Sequence, residues 1–187
     1  RMAENAILEQ RALHAQGGEM KLNPDLIRAF RGILSDRQAD PALLAEALVM
    51  PDEYYLADQM KEVDVDGIHS ARKFVKQGLA NNLESLFAER YAELNDGQPY
   101  EKSAAAMGRR SLKNMCLSYL LETPAGEKLA ADQLASSDNM TDTLAAMKGL
   151  IFADSPLAAA ALSEFESNWK EDALVMDKWF AMQAMKP

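Results

Sequence analysis

The stretch DGIHSARKFVKQGLANNLESLFAERYAEL, residues 66–94, decides the fold that the sequence predicts. Its apolar side chains recur mostly at steps of three and four residues, which is the repeat of one face of an α-helix. They are Ile68, Phe74, Val75, Leu79, Leu83, Leu86, Phe87, Tyr91 and Leu94. The turn-forming residues NDGQPY at positions 95–100 then interrupt the pattern. We therefore expect one long helix from about Asp66 to Leu94.

Four further helices have well-marked beginnings, because a capping residue is followed directly by proline at four places. These pairs are Asn23-Pro24, Asp40-Pro41, Thr123-Pro124 and Ser155-Pro156. A short polar side chain accepts hydrogen bonds from amides of the first helical turn, and proline at the first helical position gives up a donor that has no partner there. Apolar residues at helical spacing follow the first two pairs, which predicts two short helices.

The remaining segments extend the helical pattern. It covers the opening stretch, about residues 101–121 and the segment after Asn139, and no convincing strand pattern occurs. The sequence thus predicts nine or ten helices with connections of about two to six residues. We expect an all-α chain in which residues 1–187 form part of one helical domain. Helix pairs that recur without a strict sequence repeat favour an irregular superhelical array of HEAT or armadillo type over a compact bundle.

Composition and charge narrow the class of protein. Hydrophobic residues make up 48% of the chain, and 20 basic against 29 acidic side chains give a formal net charge of −9. No dense basic run accompanies this charge, which argues against nucleic acid as a partner. No apolar run reaches the roughly 20 residues that span a bilayer, and the single Cys116 excludes an internal disulfide and fits a reducing compartment. We expect a cytoplasmic protein with no membrane partner.

The sequence contains few groups for metal or cofactor chemistry. His14 and His69 are far apart, and neither H-E-x-x-H nor C-x-x-C occurs, so no metal-binding or cofactor-binding residue is predicted. The stretch EVDVDGIHSARK, residues 62–73, resembles a calcium loop in the alternation of its acidic residues and glycine, but Lys73 stands where a bidentate glutamate is required. We interpret this stretch as an acidic helix N-terminus.

The stretch RRSLKNMCLSYL, residues 109–120, contains a cysteine and three cations. Cys116 has the spacing of a buried helical position and no histidine near it in sequence, which predicts a core residue rather than a nucleophile. Arg109, Arg110 and Lys113 line the other face. They either bind an anion or, as we favour, are solvated or form salt bridges between helices.

The segment LVMDKWFAMQ, residues 174–183, reads as a helix with almost no polar face. One apolar stripe consists of Val175, Trp179 and Met182, and a second of Met176, Phe180 and Ala184. Earlier helices can cover one stripe, and we expect the other to remain as an exposed apolar patch. The chain opens at Arg1 without an initiator methionine and closes soon after this segment, so we expect both ends to be cuts in a longer polypeptide.

Three stretches, taken in order, resemble a known family. They are DPALLAEALVMP (residues 40–51), SDNMTDTLAAM (137–147) and ALVMDKWFAMQA (173–184), with RRSLKNMCLSYL between the first two. Together they closely resemble the C-terminal helical domain of bacterial aminopeptidase N, a zinc-dependent gluzincin metallopeptidase. The resemblance covers nearly the whole chain from about Lys21, and its most specific part is NMTD followed about thirty residues later by LVMDKWF.

The resemblance implies a role within a larger enzyme. In that family a β-rich domain, a thermolysin-like catalytic domain and a small β-sandwich precede an all-α superhelix that closes over the active site. The zinc motif H-E-x-x-H and the G-A-M-E-N sequence belong to the earlier domains, and neither occurs here, so no catalytic residue can be assigned to this chain.

The implied function is a non-catalytic lid or scaffold of a hydrolase that removes N-terminal amino acids from peptides. Zinc then belongs to the full-length enzyme, and this chain alone is predicted to be inactive. The implied partners are the catalytic domain, the remaining C-terminal helices and, in the full enzyme, peptides.

The two most specific motifs supply the candidates for structural or interface roles. These candidates are Asn139, Thr141 and Asp142 from the first motif, and Asp177, Lys178, Trp179 and Phe180 from the second. We interpret NMT at 139–141 as a helix cap, with either Asn139 or Thr141 as the acceptor. The alternative function, from another class of protein, is a free-standing helical-repeat module that binds a partner protein in its concave groove.

Overall fold

The computed structural model describes residues 1–186. Within that range the chain forms ten α-helices and no strand, so the predicted all-α class and the count of nine or ten helices are confirmed. The helices are α1 (Met2–Ala15), α2 (Pro24–Ser35), α3 (Pro41–Ala47), α4 (Glu53–Asp58), α5 (Val65–Leu94), α6 (Ala104–Leu120), α7 (Gly126–Ser136), α8 (Met140–Phe152), α9 (Ala158–Trp169) and α10 (Ala173–Ala184).

The first half of the chain is built around α5. This helix has 30 residues and contacts α1, α2, α4 and α6. Its observed bounds differ from the predicted ones by a single residue at the start, which is within the usual uncertainty of a helix end. The backbone at Leu83 has non-helical dihedrals, with φ −124° and ψ 15°, so α5 is kinked there. Four other helices thus pack along the surface of the one long helix α5.

The second half of the chain continues as helix pairs. Here α7 packs on α8 and α9 on α10, as α5 packs on α6 earlier in the chain. Contacts between α6 and α8 and between α8 and α9 join one pair to the next. A helix pair of this kind cannot bury its apolar face alone, and stacking on its neighbours completes the core.

The apolar core consists of a large and a small cluster. In the large cluster, around α5 and α6, the rings of Phe87 and Tyr119 stack with centroids 4.6 Å apart, and the Tyr119 hydroxyl donates to the Leu48 carbonyl at 2.7 Å. The second cluster, our name for the smaller one, has as its buried members Met147, Ile151, Phe165 and Met182. Helices α8, α9 and α10 are therefore held together by far less buried apolar surface than α5 and α6.

Two of the predicted cap-and-proline starts are confirmed. The side chain of Asn23 accepts from the amide of Asp25 at the start of α2, and that of Asp40 accepts from the amide of Ala42 at the start of α3. The stretch that resembles a calcium loop is also a helix N-terminus, as predicted, because Asp64 caps α5.

The predicted helix start at Thr123-Pro124 is wrong. The Thr123 hydroxyl and amide both donate to the Leu120 carbonyl at 2.8 Å, so this residue closes the turn after α6. Helix α7 begins instead at Gly126. A Cβ atom at Gly126 would lie 2.2 Å from the Leu120 carbonyl oxygen, so the backbone approaches so closely there that only glycine fits.

The predicted start at Ser155-Pro156 is wrong by two residues, because α9 begins at Ala158. The Ser155 hydroxyl accepts from the amide of Leu157 at 3.1 Å and donates to the carboxylate of Glu127 at 2.8 Å. Ser155 therefore fixes a turn before the helix and ties that turn to α7.

Candidate functional site

The seven candidate residues lie in two places in the fold. Asn139, Thr141 and Asp142 are at the start of α8, and Asp177, Lys178, Trp179 and Phe180 lie on α10. In the first group the Asp142 side chain bonds to α6 and the Asp142 carbonyl accepts from α7, whereas Trp179 bonds to α9. The structure therefore forms two separate sites from them.

Asp142 is the centre of a buried polar network. Its carboxylate accepts from Lys113 Nζ at 2.8 Å, from Asn114 Nδ2 at 2.7 Å and from Asn139 Nδ2 at 3.1 Å. The side chains of Lys113 and Asp142 are only 8% and 6% exposed. Opposite charges in such a place must neutralise each other, because an unpaired buried charge is strongly destabilising. The network thus fixes the first turn of α8 against α6.

Gln133 of α7 extends this network. Its Nε2 donates to Asn114 Oδ1 at 2.9 Å and to the Asp142 carbonyl at 3.0 Å, while its Oε1 accepts from the Tyr91 hydroxyl at 3.0 Å. Burial, with a contribution from the negative charges of Asp142 and Asp132, raises the pKa of Tyr91 to about 12. The hydroxyl therefore stays protonated at neutral pH, and the network joins α5, α6, α7 and α8.

Asn139 and Thr141 have different roles at the start of α8. Asn139 is the cap, since its Oδ1 accepts from the Asp142 amide at 3.0 Å. The side chain of Thr141 is exposed. Of the two acceptors that the sequence suggests, Asn139 is thus the observed one, and an interface role for Thr141 stays a prediction.

A polar cleft of about 380 Å³ opens beside the network. Its walls are the connection from α5 to α6, the first half of α6, and the segment that joins α7 to α8. The Tyr100 amide donates to the Asp138 carboxylate at 3.0 Å, which ties two of these walls together. The side chain of Asn139 and this amide both bond to Asp138 and hold its pKa below the ordinary value. Lys113 and Asp142 line the cleft together with Arg109 and Arg110.

One apolar stripe of α10 is covered by the chain itself. Val175, Trp179 and Met182 pack in or against the second cluster. Trp179 Nε1 also donates to the Leu162 carbonyl at 3.0 Å, which fixes the indole on α9. The expectation that earlier helices cover this stripe is confirmed.

The other stripe of α10 faces outwards. Within this stripe Phe180 is 60% exposed and Ala184 is exposed, whereas Met176 is partly buried. Leu174, in the first turn of the same helix, is 77% exposed. The predicted apolar patch on the last helix is therefore confirmed. Asp177 and Lys178 are exposed on the same helix, and their role at an interface stays a prediction.

Sequence reasoning left the partners of Asp142 unidentified. Lys113 was expected to be solvated, to form a salt bridge between helices or to bind an anion, and a salt bridge between helices is what the structure contains. Gln133 carried a readable signal: it follows Leu129 and Ala130 by four and three residues, so it is a polar residue on the apolar side of α7. No comparable signal marks Asn114.

The other groups singled out in the sequence are not arranged for catalysis. Burial raises the pKa of the Cys116 thiol to about 12, so the thiol stays protonated at neutral pH and acts as a core residue. His69 Nδ1 lies 3.0 Å from the Glu53 carboxylate on the surface. In the described chain, residues 1–186, no three or more His, Cys, Asp or Glu side chains are grouped so that they could hold a metal ion.

Over the part of the chain that the structure describes, no helix is both long and apolar enough to cross a membrane.

The fold and the two sites first define a class: an all-α helical-repeat domain with a buried polar network and, on its last helix, an exposed apolar face. The chain belongs to the family described as "Domain of unknown function (DUF3458_C) ARM repeats", whose sequence profile matches residues 1–187. The predicted array of HEAT or armadillo type is thereby confirmed.

Two curated relatives confirm the resemblance to bacterial aminopeptidase N. The aminopeptidase N of Haemophilus influenzae is 36% identical over 174 residues, which are 92% of this chain and 20% of that protein. The aminopeptidase N of Escherichia coli K12 is 34% identical over 178 residues, or 94% of this chain and 20% of that protein. The chain thus spans about a fifth of the length of these curated relatives.

A solved structure has the same fold. The crystal structure of Legionella pneumophila aminopeptidase A in complex with aspartic acid matches with a TM-score of 0.83 and 25% sequence identity. The match covers 98% of this chain and 23% of that one. The arrangement of the helices is therefore that of one part of a much longer protein.

Proposed function

We propose that this chain is part of one C-terminal helical domain of a cytoplasmic zinc aminopeptidase, an enzyme that removes N-terminal amino acids from peptides. In this proposal the domain carries no catalytic residue and serves as a scaffold and lid that restricts access to the active site. Its partners are the catalytic domain and the remaining helices of the same polypeptide. Peptides reach the enzyme through the opening that these parts leave.

The observation that carries the proposal is the extent of the similarity. The chain matches aminopeptidases along nearly all of its own length but along only about a fifth of theirs. A helical array without a reactive constellation in residues 1–186 offers shape and surface, which suits covering or positioning. The exposed stripe around Phe180 further supports contact with another part of a larger protein.

The residues of this chain do not fit a zinc site. A catalytic zinc site uses three protein ligands, commonly histidines with a carboxylate or a thiolate. The two histidines lie on different helices, His14 on α1 and His69 on α5, and the single thiol is buried in the core. In the proposal zinc therefore belongs to the catalytic domain, and no step of the reaction passes through this chain.

The non-catalytic role is tested by assaying two proteins with a chromogenic amino-acid amide. One is the natural polypeptide that contains this chain, and the other is the 187-residue chain alone with added zinc. We expect turnover by the first and only background hydrolysis by the second. Turnover by the short chain would contradict the proposal.

The access role needs a separate test in the natural polypeptide. We expect Phe180→Asp to weaken the docking of α10 and to raise kcat/KM for long peptides relative to dipeptides. The control is Tyr54→Asp, because Tyr54 is 90% exposed and lies on α4, away from that stripe. An unchanged ratio of the two kcat/KM values in the Phe180 variant would contradict the lid.

The exposed stripe of α10 also suits a second candidate function, a free-standing helical-repeat module that binds a partner protein. The reading frame separates the two candidates. A frame that continues upstream through H-E-x-x-H supports the aminopeptidase, and a natural protein confined to these residues supports the module.

A further inference from the structure

The acidic side chains of the polar cleft beside Asp142 all accept hydrogen bonds from the protein itself. The Asp142 carboxylate accepts three hydrogen bonds, from Lys113, Asn114 and Asn139. Both oxygens of Asp138 accept a hydrogen bond at 3.0 Å. One oxygen of Asp96 accepts from a backbone amide of its own loop at 3.1 Å. Each of these carboxylates is therefore held by donors of the protein itself, and Asp142, with three of about four acceptor sites used, is the most fully engaged.

The cationic side chains of the same cleft have donors to spare. The Lys113 ammonium has three protons, and its bonds to Asp142 at 2.8 Å and to Asn95 at 3.4 Å leave one of them over. The Arg109 guanidinium reaches Asp96 only at 4.0 Å, which is beyond hydrogen-bonding distance, and it donates no hydrogen bond within residues 1–186. A buried ammonium with one donor to spare and a guanidinium held only by a long ion pair to Asp96 thus line one concavity.

Two further features favour negative charge in this cleft. Helix α6 has 17 residues, carries no acidic side chain in its first turn, and contributes Ala106 to the lining, so the positive end of its dipole lies at the cleft. The Arg110 guanidinium donates to the Glu101 carbonyl at 2.9 Å and lies over the Tyr100 ring, which holds a second cation in the lining in place.

We propose that this cleft binds a small oxyanion, a carboxylate or a phosphate, through Arg109 and Lys113. The planar guanidinium of arginine can donate two parallel hydrogen bonds to a carboxylate or a phosphate, and the lysine ammonium adds a compact positive charge. A cavity of about 380 Å³ lies in the size range of small-molecule sites. The proposal does not depend on the proposed aminopeptidase role, because it uses only groups of this chain.

The test is isothermal titration calorimetry on the natural polypeptide with three probes. They are N-acetylglycine as a carboxylate, inorganic phosphate, and N-acetylglycinamide as the neutral counterpart of the first. We expect saturable binding of at least one anion and none of the neutral amide. The anion that binds shows whether the cleft recognises a carboxylate or a phosphate.

Two matched variants assign the binding to the cleft. Arg109→Gln should weaken anion binding about tenfold or more, because a charged hydrogen bond is lost. Arg31→Gln makes the same chemical change at an exposed position on α2 and should leave the affinity unchanged. Circular dichroism checks that both variants keep their helices.

Three results would overturn the proposal. The first is the absence of saturable binding of either anion at millimolar concentration. The second is an affinity that Arg109→Gln does not change, since the anion would then bind elsewhere. The third is equal weakening by both variants, which would indicate general electrostatic attraction.

Discussion

The Lys113–Asp142 pair couples two helices through charges that water barely reaches. Each side chain is less than a tenth exposed, and the nitrogen and oxygen atoms are 2.8 Å apart. Folding removes both charges from water, which costs free energy. Their mutual attraction offsets this desolvation cost only while both charges are present. The pair therefore makes the position of α8 on α6 sensitive to the loss of either partner.

We expect Asp142→Asn to lower the free energy of unfolding by about 3–5 kcal/mol, because Lys113 would be left charged and unpaired. Urea denaturation followed by circular dichroism measures the change. The control is Thr141→Ala, one residue earlier and exposed, which should stay within about 0.5 kcal/mol of the parent. Equal effects of the two substitutions would show that the ion pair contributes nothing specific.

The buried thiol of Cys116 lowers the stability of the chain as the pH becomes alkaline. Burial raises the pKa of its thiol from 9.0 to about 12 in the folded state. Between these two values the unfolded chain loses the proton and the folded chain keeps it. The contribution of this thiol to the free energy of unfolding is therefore fully present below about pH 9. It falls by about 1.4 kcal/mol per pH unit as the pH rises from about 9 towards 12.

We expect Cys116→Ala to remove that part of the slope, at the cost of a small cavity that lowers stability at every pH. Unfolding free energies of parent and variant, measured from about pH 8 to pH 10.5, should converge as the pH rises. Tyr91, whose pKa is also raised by burial, titrates in both proteins and cancels from the difference. Parallel curves would contradict the burial of the thiol.

The sequence indicated that Asp142 matters but not what it does. The motif NMTD shows only its neighbours along the chain, whereas Lys113 and Asn114 precede it by 29 and 28 residues. Cys116 was predictable, because helical spacing alone places it on a buried face. Roles that depend on burial can thus be read from periodicity, and roles that depend on a distant partner cannot.

At the scale of single helices, the same local signal led to different structures. Asn23-Pro24 starts a helix, but Thr123-Pro124 does not, although both pair a capping residue with proline. The difference is tertiary, since Thr123 bonds back to Leu120 and the close packing at Gly126 sets where α7 begins. Helix existence was therefore predictable, and helix boundaries were only partly so.

Helix α10 provides a matched pair of neighbouring aromatic residues. We expect Trp179→Ala to lower the free energy of unfolding by about 2 kcal/mol, less than a wholly buried tryptophan, because its ring is only partly covered. Phe180→Ala should cost about 0.5–1 kcal/mol, mainly the edge contact of the two rings, whose centroids are 4.9 Å apart. Thermal and urea unfolding measure both. If Phe180→Ala costs as much as Trp179→Ala, the outer stripe is covered in solution.

At the scale of the whole molecule, the division of the core makes stability uneven along the chain. The large cluster joins α5 and α6 to the helices around them, whereas the second cluster has four buried members. An array of helix pairs is stabilised by nearest-neighbour interfaces, so a weak interface lets one end open while the rest stays folded. Hydrophobic periodicity predicted the helices of both regions but could not show which helices share a core.

We expect amide hydrogen exchange to proceed through local opening of α9 and α10 at a lower free energy than the opening of α5 and α6. Phe165→Ala should speed exchange in α8, α9 and α10 and leave α5 unchanged, because Phe165 is 4% exposed and belongs to the second cluster. Phe87→Ala is the counterpart in the large cluster, and it should speed exchange in α5 and α6 while α9 and α10 keep exchanging through their own local opening. Uniform protection of all ten helices in the parent would mean that the array unfolds as one cooperative unit, and the Phe165 variant would then speed exchange everywhere.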